Sequence, residues 1–289
     1  MKQRKKLKIL AVCIPTVLVI LLAVYFGTYY HADATAEKAL QGNSAVKVSQ
    51  ISQGGYLFDG PSDDTAVIFY PGAKVETSAY APLLLQIAEQ DADVYLLDMP
   101  LHMAFFGINK ADRIRENDEN DYRHWYMAGH SLGAAMAASY AASHLSEYRG
   151  LILLAGYPPK DLRGDDFSLL SVYGSEDMDP SMMQKKSQNR PEDYTEAVIS
   201  GGNHAQFGNY GIQKGDGTAR ISAEEQQKQA VKAIHDYLRK QNRKSAAKVA
   251  GKNERYASKT EDSCDPFTIH TSLHFYNRFR VSYFQKEIR

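Results

Sequence analysis

Residues 66–70, Ala-Val-Ile-Phe-Tyr, are apolar without a break and stop at Pro71-Gly72. A strand with one wet face alternates apolar and polar side chains, so an unbroken run belongs to a strand covered on both sides. The pattern recurs in "DVYLLDMP" (93–100), "HWYMAGHS" (124–131), "GLILLAG" (150–156) and "SLLSVYG" (168–174), and "YTEAVISGGNH" (194–204) is a strand that enters a glycine loop. Helical periodicity fills the gaps. Leu83, Leu84, Ile87 and Ala88 share a face over 77–90, a short helix falls in 108–117, and residues 132–146 form a helix of small side chains. Ser222 and Glu225 form a capping box for a closing helix over 222–240, with Ala230, Val231, Ile234, Tyr237 and Leu238 on one face. Residues 46–52 alternate and meet "YLFDG" across Gly54-Gly55, the pattern of a hairpin. This order of elements predicts an α/β fold, a mostly parallel sheet with helices on both faces.

The ends of the chain differ from this body. Residues 1–8 carry five basic groups and no acid, and Ile9 to Phe26 are uncharged and apolar, with Tyr25, Phe26, Tyr29 and Tyr30 at the far end. About 18 residues at 1.5 Å each approach the thickness of a bilayer core, with basic residues on the cytoplasmic side and aromatics at the opposite interface. We expect residues 1–34 to be a basic stub and transmembrane anchor, with the body extracytoplasmic. The alternative is a signal peptide cut after Ala34 in the pattern Ala32-Asp33-Ala34, which would release a secreted protein. Residues 35–244 are then the folded α/β domain. Residues 245–289 lack periodicity and end in the basic, aromatic "FTIHTSLHFYNRFRVSYF", an appendage expected to be disordered in part.

The chain's 34 basic and 34 acidic residues balance, but five bases lie in 1–8, and nine bases with five acids lie from Lys244 onward. The body is therefore about nine charges negative, which argues against nucleic acid as a partner. The two cysteines, Cys13 and Cys264, both lie outside it, so a disulfide framework and a thiolate metal site are not supported there.

Within "YMAGHSLGAA" stands G-x-S-x-G, Gly129 to Gly133, between a strand and a small-residue helix. In that setting a sharp turn lifts the Ser131 hydroxyl out at the end of the sheet. Leu132 N–H, at the positive end of the helix, is then placed to bind an oxyanion. A second donor is expected from the loop after the first buried strand, Gly72 or Ala73. Of nine histidines, His204 alone directly follows the last strand, in "SGGNHAQFG", and is the candidate base. The orienting acid should precede it, after the previous strand. There "GSEDMDP" offers Glu176, Asp177 and Asp179, with Asp177 preferred. The order Ser131, Asp177, His204 is that of an α/β-hydrolase triad. Phe105, Phe106 and Tyr157 are either pocket walls or ordinary packing.

The segments "VIFYPGAKVETSAYAPLL", "GHSLGAAMAASYAA", "VYGSEDMD" and "GGNHAQFGNYGIQKGDG" resemble the α/β-hydrolase fold-5 family, similar to the dienelactone hydrolases, over about residues 46–240. The resemblance implies an α/β-hydrolase fold with Ser131, Asp177 and His204 as triad. Dienelactone hydrolases use a cysteine nucleophile where this chain has serine, so their substrate is not carried over. The gap between the strands at 150–156 and 168–173 leaves no room for a sizeable lid domain. The expected function is that of a membrane-anchored serine hydrolase. It would act on an ester or similar acyl bond of a small or lipid-like substrate, with no metal or organic cofactor. The alternatives are an acyltransferase using the same triad, or a non-catalytic binding protein on a hydrolase scaffold.

Overall fold

A computed structural model describes residues 11–261 apart from 12, 18, 21, 22, 24, 26, 63, 91, 118–120, 179, 180 and 182–185, with the backbone alone at 249 and 252–261. The basic stub and the aromatic tail lie outside the described residues, as does part of the apolar N-terminal run. Among the described residues, no helix is long and apolar enough to cross a membrane.

Eight strands form one sheet: β1 (Lys47–Gln50), β2 (Gly55–Asp59), β3 (Thr65–Tyr70), β4 (Asp93–Leu97), β5 (His124–His130), β6 (Gly150–Leu154), β7 (Ser168–Gly174) and β8 (Asp193–Ile199). The spatial order is β1-β2-β4-β3-β5-β6-β7-β8. β1 and β2 form the expected hairpin, with Ser49 opposite Leu57, and β2 runs antiparallel to β4. From β4 to β8 every pairing is parallel. The α-helices of the body include α1 (Ala34–Ala39), α2 (Ala81–Ala88), α3 (Lys110–Arg115), α4 (Leu132–Ala141) and α5 (Ala223–Glu261).

The apolar runs are explained by two cores, one on each face. Alternate residues of a strand point to opposite sides. Val67, Phe69, Val94, Leu96, Tyr126 and Ala128 therefore join Leu83, Leu84 and Ile87 of α2 and Val231, Ile234 and Leu238 of α5. Ala66, Ile68, Tyr70, Tyr95, Leu97 and Met127 face the other way, onto Ile114 of α3 and Ala134, Ala137 and Ala138 of α4. The two edge strands, β1 and β8, are half-exposed or exposed along most of their length. The connection from β6 to β7 holds no helix, so no lid domain is inserted there.

Two expected boundaries fall inside ordered elements. The cut after Ala34 would sever the first turn of α1, whose N-cap Asp33 accepts the Ala36 N–H at 3.0 Å. Residues before that cut already belong to the body. Tyr30 forms a parallel bridge with Val75, donating to Lys74 O at 2.7 Å and accepting from Glu76 N–H at 2.8 Å. At the other end, the closing helix extends to Glu261 rather than ending near 240. The chain divides into two compact units, 1–241 and 242–289. The apolar face read from the sequence ends at Leu238, and beyond Gln241 the helix is polar.

Candidate active site

Ser131 closes β5 and caps α4 at φ 55°, ψ −122°, a conformation that side chains seldom adopt. The strain is held by its neighbours. A Cβ on Gly129 would lie 2.6 Å from the Gly133 carbonyl carbon, and one on Gly133 would lie 2.2 Å from Tyr70 O. The two glycines of the motif thus press the turn against the end of β3. Ser131 N–H is fixed to Leu154 O at 2.9 Å.

Asp177 and His204 meet beyond the ends of β7 and β8. Both side chains are buried, and His204 Nδ1 lies 3.0 Å from Asp177 Oδ1. A carboxylate only accepts, so Nδ1 carries the ring proton, which leaves the Nε2 lone pair of the neutral ring as a base. Nε2 is buried and has no hydrogen-bond partner among the described residues. The structure does not close a bond between Nε2 and the Ser131 hydroxyl. Of the other acids considered, Glu176 is 3.3 Å from Arg220, and Asp179 lies outside the described residues.

The loop that carries His204 is pinned at several points. A Cβ on Gly174 would lie 2.1 Å from Gly202 O, so this glycine lets the acid strand touch the histidine loop. Asp216 accepts the N–H groups of His204 (3.0 Å), Ala205 (2.8 Å) and Gly217 (2.8 Å). Gln226 of α5 brackets Asn203, accepting its N–H at 2.9 Å and donating to its carbonyl at 2.7 Å. Asp216 was within reach of sequence reasoning: it is an acid between two glycines, twelve positions after the histidine.

The oxyanion loop corrects one expectation. Gly72 N–H donates to Tyr80 Oη at 3.0 Å in a buried site, so it is not free for a substrate. Ala73 and Leu132 remain, and neither N–H is given an acceptor among the described residues. The Tyr80 contact starts a one-way chain. His204 O can only accept, so His130 Nε2 donates to it (3.0 Å), and His130 Nδ1 accepts from the Tyr80 hydroxyl (2.8 Å). Burial, and then repulsion from His204, hold the His130 pKa well below its usual value, which keeps the ring neutral as this chain requires. A Cβ on Gly72 would reach within 2.7 Å of Tyr80 Oη and 2.9 Å of His130 Nδ1. Nothing in the sequence announces this link between the oxyanion loop and the base loop, because Tyr80 falls within the segment 77–90 that reads as a helix. Phe105 and Phe106 are both exposed, and their rings pack edge to face on each other at 5.5 Å.

A family model described as the alpha/beta hydrolase family matches residues 66–228, more than half of the chain. The chain is an α/β-hydrolase. No curated protein matches it by sequence. Among solved structures, this hydrolase is similar to Est1E from Butyrivibrio proteoclasticus, at 14% identity and TM-score 0.48, covering 68% of this chain and 99% of that one. It is similar to a dienelactone hydrolase from Anabaena variabilis, at 13% and 0.49, covering 66% and 97%. A soluble variant of monoglyceride lipase from Saccharomyces cerevisiae follows at 11% and 0.49, covering 70% and 96%.

Proposed function

We propose that this α/β-hydrolase is a serine hydrolase that cleaves an ester or similar acyl bond through Ser131, His204 and Asp177. The observation that carries the reading is the buried Asp177–His204 pair, which leaves Nε2 as an unpartnered base at the sheet edge where Ser131 stands on its strained turn. His204 Nε2 takes the Ser131 proton as Oγ attacks the acyl carbonyl. The tetrahedral oxyanion is bound by the Leu132 and Ala73 N–H groups. The imidazolium, oriented by Asp177, then gives its proton to the leaving alcohol as the C–O bond breaks. Water, deprotonated by the same ring, hydrolyses the acyl-enzyme and returns Ser131. Oxyanion donors of this kind contribute about 2.7–4 kcal/mol each.

The location is part of the proposal. The apolar run from Ile9 to Phe26 anchors the chain in a membrane, with the body on the far side from the basic stub. The integration of Tyr30 and Asp33 into the body supports an anchor that is retained rather than cut after Ala34. Residues 245–289 are proposed as an appendage outside the catalytic machinery. A panel of p-nitrophenyl esters of increasing chain length, run on the full chain and on Ser131→Ala, tests the chemistry. Turnover by the wild type alone is expected. Equal turnover by the variant would refute the assignment.

A further inference from the structure

Outside the N-terminal run, the large hydrophobic side chains exposed among the described residues are Leu101 (41%), Phe105 (64%), Phe106 (56%), Met178 (44%), Val198 and Ile212 (93%). All but Val198, on the edge strand, lie in connections that leave the C-terminal ends of β4, β7 and β8. That is the edge carrying Ser131, Asp177 and His204. The loop after β4 contributes most, and it is held firmly in an unusual shape. Leu101 and His102 have φ of 55° and 50°, as does Lys74 opposite them at 57°, and Lys74 N–H donates to His102 O at 2.8 Å.

The chain emerging from the apolar N-terminal run reaches the same edge. Tyr25 Oη donates to Leu101 O, Tyr29 stacks on His102 at 4.5 Å, and Lys74 Nζ donates to Thr28 Oγ1 at 2.8 Å. Tyr30 Oη accepts Lys214 N–H at 3.2 Å, two residues from Ile212. The anchor and the exposed apolar loops are thus fixed to each other through short, direct contacts.

We propose that Leu101, Phe105, Phe106, Met178 and Ile212 form a lipid-facing surface that sets the active-site edge against the bilayer holding the N-terminal run, so that acyl substrates enter from the membrane. The inference rests on the anchored serine-hydrolase reading. The body's excess of about nine acidic groups gives it no attraction to an anionic surface, which leaves apolar insertion into the headgroup–acyl boundary as the means of contact. Among the described residues, nothing comparable faces the opposite sheet edge, where the exposed side chains around the Trp125 cavity are Arg123, Ser146, Glu147, Asp165 and Asp166.

The test uses the full chain reconstituted in phosphatidylcholine vesicles, with Cys13→Ser and Cys264→Ser as background. A polarity-sensitive dye is placed at Phe106→Cys or, on the opposite edge, at Ser146→Cys. The dye at 106 should shift to the blue and be quenched by lipid nitroxides near the carbonyl level, while the dye at 146 stays in water. The double variant Phe105→Ser/Phe106→Ser should hydrolyse vesicle-borne p-nitrophenyl palmitate about tenfold more slowly, with p-nitrophenyl acetate turnover unchanged. The proposal is overturned if the dye at 106 reports water. It is overturned if burial of the dye appears only at high protein density, which would mean self-contact. An equal loss on both esters also overturns it, since the loop would then shape the site itself. Loss of acetate turnover in the unsubstituted chain would instead refute the hydrolase reading, and leaves the dye measurement to decide the surface.

Discussion

The two edges of the parallel sheet are built from the same strands and behave differently. At the C-terminal edge stand all the non-glycine residues of positive φ among the described ones: Lys74 after β3, Leu101 and His102 after β4, Ser131 after β5 and Ala155 after β6. The buried orphan atoms of the site, His204 Nε2 and Asp177 Oδ2, are there too. The N-terminal edge carries ordinary surface ion pairs, Arg123–Asp64 at 3.6 Å and Lys240–Asp193 at 3.5 Å. Its cavity of about 440 Å³ is lined by Trp125, Leu145, Tyr148 and Phe167 among charged groups. Strain and unpaired polar groups cost stability, and proteins keep them where function requires. A buried orphan atom also occurs at the N-terminal end of β5, at His124 Nδ1, so it is the backbone strain that sets the C-terminal edge apart as the candidate active site.

The comparison can be broken most decisively at the triad. Ser131→Ala and Asp177→Asn should each lower kcat by about 10⁴-fold or more in an ester assay, with Tm within a few degrees of the wild type. Next in size is Asp216→Ala, which strips the acceptor from three loop N–H groups. It should cost roughly 1–3 kcal/mol in denaturant melts and lower kcat by about 10²-fold by moving His204. If stability falls while kcat holds, Asp216 braces the loop without positioning the base.

A smaller effect concerns pH. His130 is held neutral in the fold. Below about 6.5 the unfolded chain therefore takes up a proton that the native state refuses. Its contribution to stability is full above that pH and declines as the pH falls toward the depressed native value. Thermal melts from pH 8 to 5 should show a shallower acid decline in His130→Gln than in the wild type. An equal decline would mean that the ring is protonated in the native state. Smallest of all, Arg123→Ala on the opposite edge should change stability by no more than about 0.5 kcal/mol and leave turnover alone. A tenfold loss of activity there would erase the distinction between the edges.

Much of this edge was legible in the sequence. The unbroken runs at 66–70 and 150–156 could only be doubly covered strands, and chemistry placed a few residues past a strand end stays at that end. That is why Asp177 and His204, 27 positions apart, could be paired on paper. The role of Gly72 could not, because its N–H is taken by a phenol from the next element, and no local pattern announces a side chain that reaches back eight residues. The span of α5 was missed for a related reason. Beyond Gln241 the helix has no apolar face, and periodicity is the only signal that reading a sequence can use there. The docking of residues 28–33 was hidden too, since its bonds run largely through backbone and aromatic contacts.

The most direct test of the account is covalent labelling of the full chain with a fluorophosphonate, followed by intact-mass measurement and peptide mapping. The account predicts one adduct per chain, located on Ser131 and lost in Ser131→Ala, with labelling slowed in Asp177→Asn. An adduct on any other residue, or an unlabelled native protein, would contradict it.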